Sequence, residues 1–134
     1  MRCQGADHLF GRSYGAESLG GQTGRGRYAL CRQGQFLEDN GFEVLNIKGL
    51  QNLDPDLMPR TPLRQMYHLT KEVLNPAADA IFVSCTGLGI AHGINMMERD
   101  FGLPVVTSNQ ASLWGALRSL SIKDDVGLGK LFTL

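Results

Sequence analysis

The chain has 134 residues, with 13 Lys plus Arg against 13 Asp plus Glu, 43% hydrophobic and 19% charged. This is the balance of one ordinary globular domain, long enough to bury a core without metals or disulfides. A formal net charge of zero gives no reason to bind nucleic acid or an anionic membrane. No run approaches the roughly 18 apolar residues of a membrane helix, and the first residues lack a signal-type apolar core, so a cytoplasmic location is expected.

Residues 1 to 35 differ from the rest. They hold eight of the 17 glycines, and five arginines against two acids. Gly20, Gly21, Gly24 and Gly26 penalise both helix and strand, so residues 1 to 34 read as irregular. The expected division is an irregular Gly/Arg-rich segment over 1–35 and an α/β unit over 36–134. From Phe36 the pattern is regular. Phe36-Leu37 ends a short helix at Asn40-Gly41, and residues 43 to 48 read as a strand. Thr61 and Pro62 supply an N-cap and a first helical residue for a helix over 62–75, in which Leu63, Met66, Tyr67, Thr70, Val73 and Leu74 share one face. Ala80 to Val83 is an apolar run of the kind buried on both faces of a parallel sheet, within a strand near 79–84. A helix near 90–101, a strand near 103–107 and a helix near 110–120, with Leu113, Trp114, Leu117 and Leu120 on one side, complete the chain. Alternating strands and helices predict a parallel sheet with helices on both faces.

Ligands of such sheets bind beyond the carboxyl ends of the strands. Two turns qualify. In Val83-Ser84-Cys85-Thr86-Gly87-Leu88-Gly89, a thiol is expected at a helix N-terminus, where backbone N–H groups lower its pKa and favour an adjacent anion. The plain alternative is a tight turn with a buried cysteine. In Thr107-Ser108-Asn109-Gln110, Ser108 or Asn109 is either a helix N-cap or a polar group facing the same crevice as Cys85. His68 reads as a solvated surface residue, and His92 as a surface or packing residue, with a base for the thiol as the alternative. Cys3, Cys31 and Cys85 are an odd, widely spaced set, giving reduced thiols and no metal knuckle. Gly24 to Ala29 fits G-x-G-x-x-A without a preceding strand. The Gly87-Leu88-Gly89 turn follows a strand but lacks the acid that would end the next one, so a dinucleotide site there is only the runner-up. Gly21 to Gly26 lacks the Lys-Ser/Thr of a P-loop.

The segments Phe36 to Val44, Ala78 to Leu88, Glu98 to Ala111 and Gly127 to Phe132, in that order, resemble the C-terminal half of the aspartate/glutamate racemase superfamily. Among its branches they are most similar to the maleate cis-trans isomerases and arylmalonate decarboxylases. The resemblance implies one Rossmann-like lobe of a two-lobed fold and chemistry without metal or organic cofactor on a small carboxylate or dicarboxylate. Within it Cys85 matches a catalytic cysteine that protonates or attacks carbon, and the amides of Thr86 and Gly87 match groups holding the substrate carboxylate. Ser108 and Asn109 are expected as further binding residues. The family's first lobe has no counterpart in residues 1 to 34, which implies a truncated copy with little turnover alone, or an inactive half-domain that keeps only the carboxylate-binding turn. It also makes self-association plausible through the uncovered face.

Overall fold

The computed structural model describes residues 33–50 and 55–134. The irregular reading of residues 1 to 32 lies outside the described residues, while residues 33 and 34 already belong to a helix. This first helix, α1, runs over 33–39 and ends as its sequence directs. Phe42 N–H donates to Leu37 O (3.0 Å), Gly41 N–H to Glu38 O (2.9 Å), and Gly41 takes φ +86°, the left-handed closing turn that glycine accepts without Cβ strain. The Asn40 side chain adds a bond to Phe36 O at 2.7 Å.

Among the described residues the sheet has two strands, β1 (Ile81–Val83) and β2 (Val105–Thr107), paired in parallel with Ile81 opposite Val105 and Val83 opposite Thr107. Helix α2 (Leu63–Glu72), helix α3 (Ile94–Phe101) and helix α4 (Ser108–Ser119) surround it, with 3-10 turns at Pro55–Arg60, Ala91–Gly93 and Lys130–Thr133. One face carries the main core, where Met66, Ile81, Val83, Leu88, Ile90, Ile94, Met97 and Val105 meet. On the other, Val106 packs with Leu131 and Phe132 against Ala111, Trp114 and Leu117 of α4. The fold is therefore α/β, a parallel pair with helices on both faces.

Several local expectations are corrected. Residues 43 to 48 form no strand: Phe42 to Leu45 are all half-buried without alternation, and no ladder among the described residues engages them. Side chains dock the segment instead, through Asn46 Nδ2 donating to Val73 O (3.2 Å) and the Lys48–Glu72 ion pair. The N-cap of α2 is Pro62 and not Thr61, because the Pro62 carbonyl accepts the first helical bonds, from Gln65 and Met66, while Thr61 Oγ1 donates back to Leu57 O. The cap of α4 is Thr107, not Ser108 or Asn109. Its hydroxyl accepts Gln110 N–H (3.2 Å) as Gln110 Oε1 accepts Thr107 N–H (2.8 Å), a reciprocal capping box. The inward side of α4 runs through Gln110, Trp114 and Leu117, leaving Leu113 and Leu120 exposed. Phe82 is 42% exposed, so β1 is covered on one face only.

The outer edge of β2 is closed by side chains. Glu98 Oε1 accepts Val105 N–H at 3.0 Å, and Gln110 Oε1 takes the Thr107 amide. The same two side chains hold the C-terminal strap, since both Glu98 oxygens accept Lys130 N–H and Gln110 Nε2 donates to Leu128 O (2.6 Å). Gly129, at φ +81°, passes so close that a Cβ would stand 2.8 Å from Ile94 Cγ2 and 3.0 Å from Glu98 Oε1. Arg118 completes the strap by donating to the Phe132 and Leu134 carbonyls.

Three consequences are measurable. Glu98→Ala strips acceptors from two buried or part-buried amides and is expected to cost roughly 2–4 kcal/mol in urea unfolding, where an ordinary surface change costs under about 0.5. Phe132, 1% exposed, should cost about 3–5 kcal/mol as Phe132→Ala in the same measurement. On α2, Tyr67 stacks on Phe101 and donates to Asp100 Oδ2. Partial burial, then the Asp100 charge and this hydrogen bond, raise its phenol above the ordinary 10.0. Any stability gained is thus present below pH 10 and lost as pH rises through the raised value. Asp100→Asn is expected to move the Tyr67 transition back toward the ordinary value in an ultraviolet titration referenced to Tyr67→Phe.

Candidate active site

Because β1 and β2 are parallel and in register, the chain leaves both at the same edge of the sheet. The turn after β1 alternates between core and solvent. Leu88 and Ile90 are buried at 6% and 2%, whereas Thr86, Gly87 and Gly89 are exposed. The two buried side chains pin the underside of the turn, and its backbone faces outward above them. Cys85 is half-buried, a free thiol packed against the main core, and its own N–H closes back on Val83 O at 3.2 Å.

The helix expected immediately after the thiol starts later. A 3-10 turn covers Ala91–Gly93 and α3 begins only at Ile94, nine residues past Cys85. The Leu88-Gly89-Ile90 segment spends its residues anchoring the turn, so the thiol does not stand at the N-terminus of α3. Among the described residues no hydrogen bond uses the backbone N–H of Thr86 or Gly87. Two adjacent donors therefore stand exposed beside the thiol.

The second turn meets the first. Asn109 Nδ2 donates to Thr86 O at 3.1 Å, joining the start of α4 to the Cys85 turn across 23 residues of sequence. Ser108, half-buried, lies next to it, with its carbonyl accepting Ser112 Oγ. Cys85, Thr86, Gly87, Ser108 and Asn109 thus share one sheet edge. One neighbour escaped the sequence reading. A Cβ built on Gly87 would lie 3.4 Å from Met58 Cβ and 3.7 Å from Cys85 Sγ, so the 3-10 turn Pro55–Arg60 places an apolar side chain against this turn. No periodicity or spacing marks Met58, since its position follows from how a short turn docks.

Neither of the two described histidines is hydrogen-bonded to the thiol. His68 is exposed on α2, where it accepts from Arg64 Nε (3.5 Å) and meets Tyr67 edge-on, and His92 is exposed on Ala91–Gly93. Among the described residues no group of three or more His, Cys, Asp or Glu is arranged to hold a metal ion, and no helix is long and apolar enough to cross a membrane. A thiol beside two unused amides is equipped to hold an oxyanion and exchange a proton with an atom next to it.

The chain is similar to known proteins over most of its length. The family model of arylmalonate decarboxylase matches residues 26–132. An arylmalonate decarboxylase from Bordetella bronchiseptica is 41% identical over 59 residues, 42% of this chain and 25% of that protein. The solved Gly74Cys mutant of arylmalonate decarboxylase, in its sulfate-associated form, superposes with a TM-score of 0.67 at 29% identity, over 77% of this chain and 46% of that one. A crystal structure of arylmalonate decarboxylase gives 0.59 at 30% identity, over 76% and 46%. The chain therefore spans about half the length of its solved relatives. With the family model matched across most of its length, including both turns at the sheet edge, this chain belongs to the arylmalonate decarboxylase family.

Proposed function

We propose that the chain carries the proton-donating and carboxylate-holding turn of a cofactor-independent decarboxylase, isomerase or racemase of small carboxylates. The observation that carries this reading is the placement of Cys85 beside the unused amides of Thr86 and Gly87 at the carboxyl end of β1, in a chain of this family. In the decarboxylating form, the substrate bears two carboxylates on one carbon. One is held by the two amides. The bond from the carbon to the other carboxylate breaks, carbon dioxide leaves, and the electron pair spreads onto the carboxylate that remains.

Hydrogen bonds that tighten as this charge develops lower the barrier, because they act more strongly on the enediolate than on the ground state. The Cys85 S–H then gives its proton to the carbon, and the resulting thiolate recovers one from water. In isomerisation the thiolate adds to a carbon of the double bond as the π pair shifts onto the far carboxylate, and is expelled after rotation; in racemisation it takes the proton from the carbon next to the carboxylate, and an acid on the opposite face returns one. Ser108 contributes a hydroxyl from the neighbouring turn, with Asn109 beside it. Met58 supplies an apolar wall against which a non-polar substituent can lie.

The solvent exposure of Thr86 and Gly87 favours a second reading, in which the same turn binds a carboxylate without turnover. The test is an assay of carbon dioxide release from an arylmalonate, maleate isomerisation and amino-acid racemisation, with the purified chain beside Cys85→Ser. Rates in the chain alone are expected to be low, and Cys85→Ser to reduce whatever is present by roughly 10² to 10⁴, the usual contribution of a positioned acid or base. Turnover that survives the substitution overturns the assignment of Cys85. Absent turnover with a dicarboxylate still protecting Cys85 from alkylation establishes the second reading.

A further inference from the structure

From the hydrogen bond between the Asn109 side chain and the Thr86 carbonyl, we infer that Asn109 is the positioning residue for the Gly87 amide: it serves the site by aiming that donor, without itself holding substrate. This rests on the carboxylate-binding reading of the turn. Thr86 C=O and Gly87 N–H belong to one peptide unit, and the described chain contains no cis peptide. In a planar trans peptide these two groups point in opposite directions. Fixing the carbonyl fixes the amide.

Asn109 Nδ2 reaches Thr86 O at 3.1 Å from the first turn of α4, so the Thr86 carbonyl is held from the β2 side and the Gly87 N–H is turned away from α4. Little else restrains this peptide. Gly87 has no side chain to anchor it, and both Thr86 and Gly87 are exposed. The Cys85 N–H bond to Val83 O restrains only the residue before, and the burial of Leu88 only the residue after. A glycine peptide between two anchors can flip at small cost. The support for Asn109 is firm, because the Thr107–Gln110 capping box fixes the helix start on which it stands.

Iodoacetate provides the probe. Its carboxylate is attached to the carbon that the thiolate attacks, so alkylation of Cys85 forms a sulfur–carbon bond, expels iodide and requires the carboxylate to sit where the amides are. Iodoacetamide forms the same bond without the charge. The ratio of the two rates, read on the Cys85 peptide by mass spectrometry, cancels changes in thiol exposure or acidity, which affect both reagents. The urea-unfolded chain supplies the baseline, in which an anionic thiolate disfavours the anionic reagent.

The native chain is expected to favour iodoacetate over that baseline by roughly tenfold, the scale of a hydrogen bond to a charged group. Asn109→Ala should lower the ratio by roughly twofold to tenfold, what one lost hydrogen bond is worth. Asn109→Ser, whose hydroxyl is too short to replace the amide at Thr86, should behave likewise. Asn109→Gln, with the same amide one methylene farther out, should recover part of the ratio. A native-like ratio in Asn109→Ala overturns the positioning role and leaves the carboxylate site standing. A wild-type ratio equal to the unfolded baseline overturns the carboxylate site and the positioning role together.

Discussion

The structure depends on how the outer edge of β2 is closed. A strand at the end of a sheet exposes alternate N–H groups that invite further pairing. Here Val105 and Thr107 give theirs to Glu98 Oε1 and Gln110 Oε1. Both acceptors are long side chains on the helices that flank β2, so one set of bonds ends the sheet and docks α3 and α4 to it. The C-terminal strap is then held by the same side chains. Glu98, 5% exposed, is a carboxylate kept in the interior by backbone amides, without a cation among its described partners. Such a group is tolerated because its lone pairs are satisfied where they lie.

That closure sets the position of the site. With β2 fixed by α3 and α4, its parallel register with β1 places the ends Val83 and Thr107 side by side, and the turns that follow must meet. The capping box that satisfies Thr107 also starts the helix from which Asn109 reaches Thr86. Fold and site therefore share residues. Gln110 closes the edge, caps the helix and holds the strap, and a change there reaches the Cys85 turn without touching it.

Much of this was legible in the sequence, for identifiable reasons. Ala80 to Val83 and Pro104 to Thr107 are short apolar runs between polar turns, and the face of α2 follows its helical spacing, because local composition decides such elements. Glycine at the end of α1 fixed the closing turn by chirality alone. What failed depended on distant partners. Residues 43 to 48 have strand composition but no strand beside them among the described residues, and Leu88 and Ile90 entered the core instead of opening a helix. Glu98 stands in the charged-looking Glu98-Arg99-Asp100, and nothing local marks it as buried. The Thr107-x-x-Gln110 box was readable as a pattern, but the adjacent Ser108 and Asn109 are equally good caps by type. The pairing of Asn109 with Thr86 exists only once the two strands have paired. The candidate site was thus legible as two turns on one sheet edge, and the Asn109–Thr86 bond that joins them was not.

The turn's own asymmetry determines which part of the proposed chemistry this chain can supply. Beneath it Leu88 and Ile90 are packed into the core, which fixes the backbone. Above it Thr86, Gly87 and Asn109 are exposed. Backbone amides stabilise a developing oxyanion strongly when water is excluded, since the same dipoles in a high dielectric compete with solvent that is equally able to solvate the charge. In the proposed reaction, this chain contributes a fixed array of donors and a proton on sulfur, both prepared from below. The remaining part of the rate must come from whatever covers the turn, by drying these amides and holding the scissile carboxylate in line. Substrate preference divides in the same way. Under the proposed reaction the held carboxylate is recognised by Thr86 and Gly87, while the groups that distinguish one carboxylic acid from another point away from the backbone, on the side where Met58 lies.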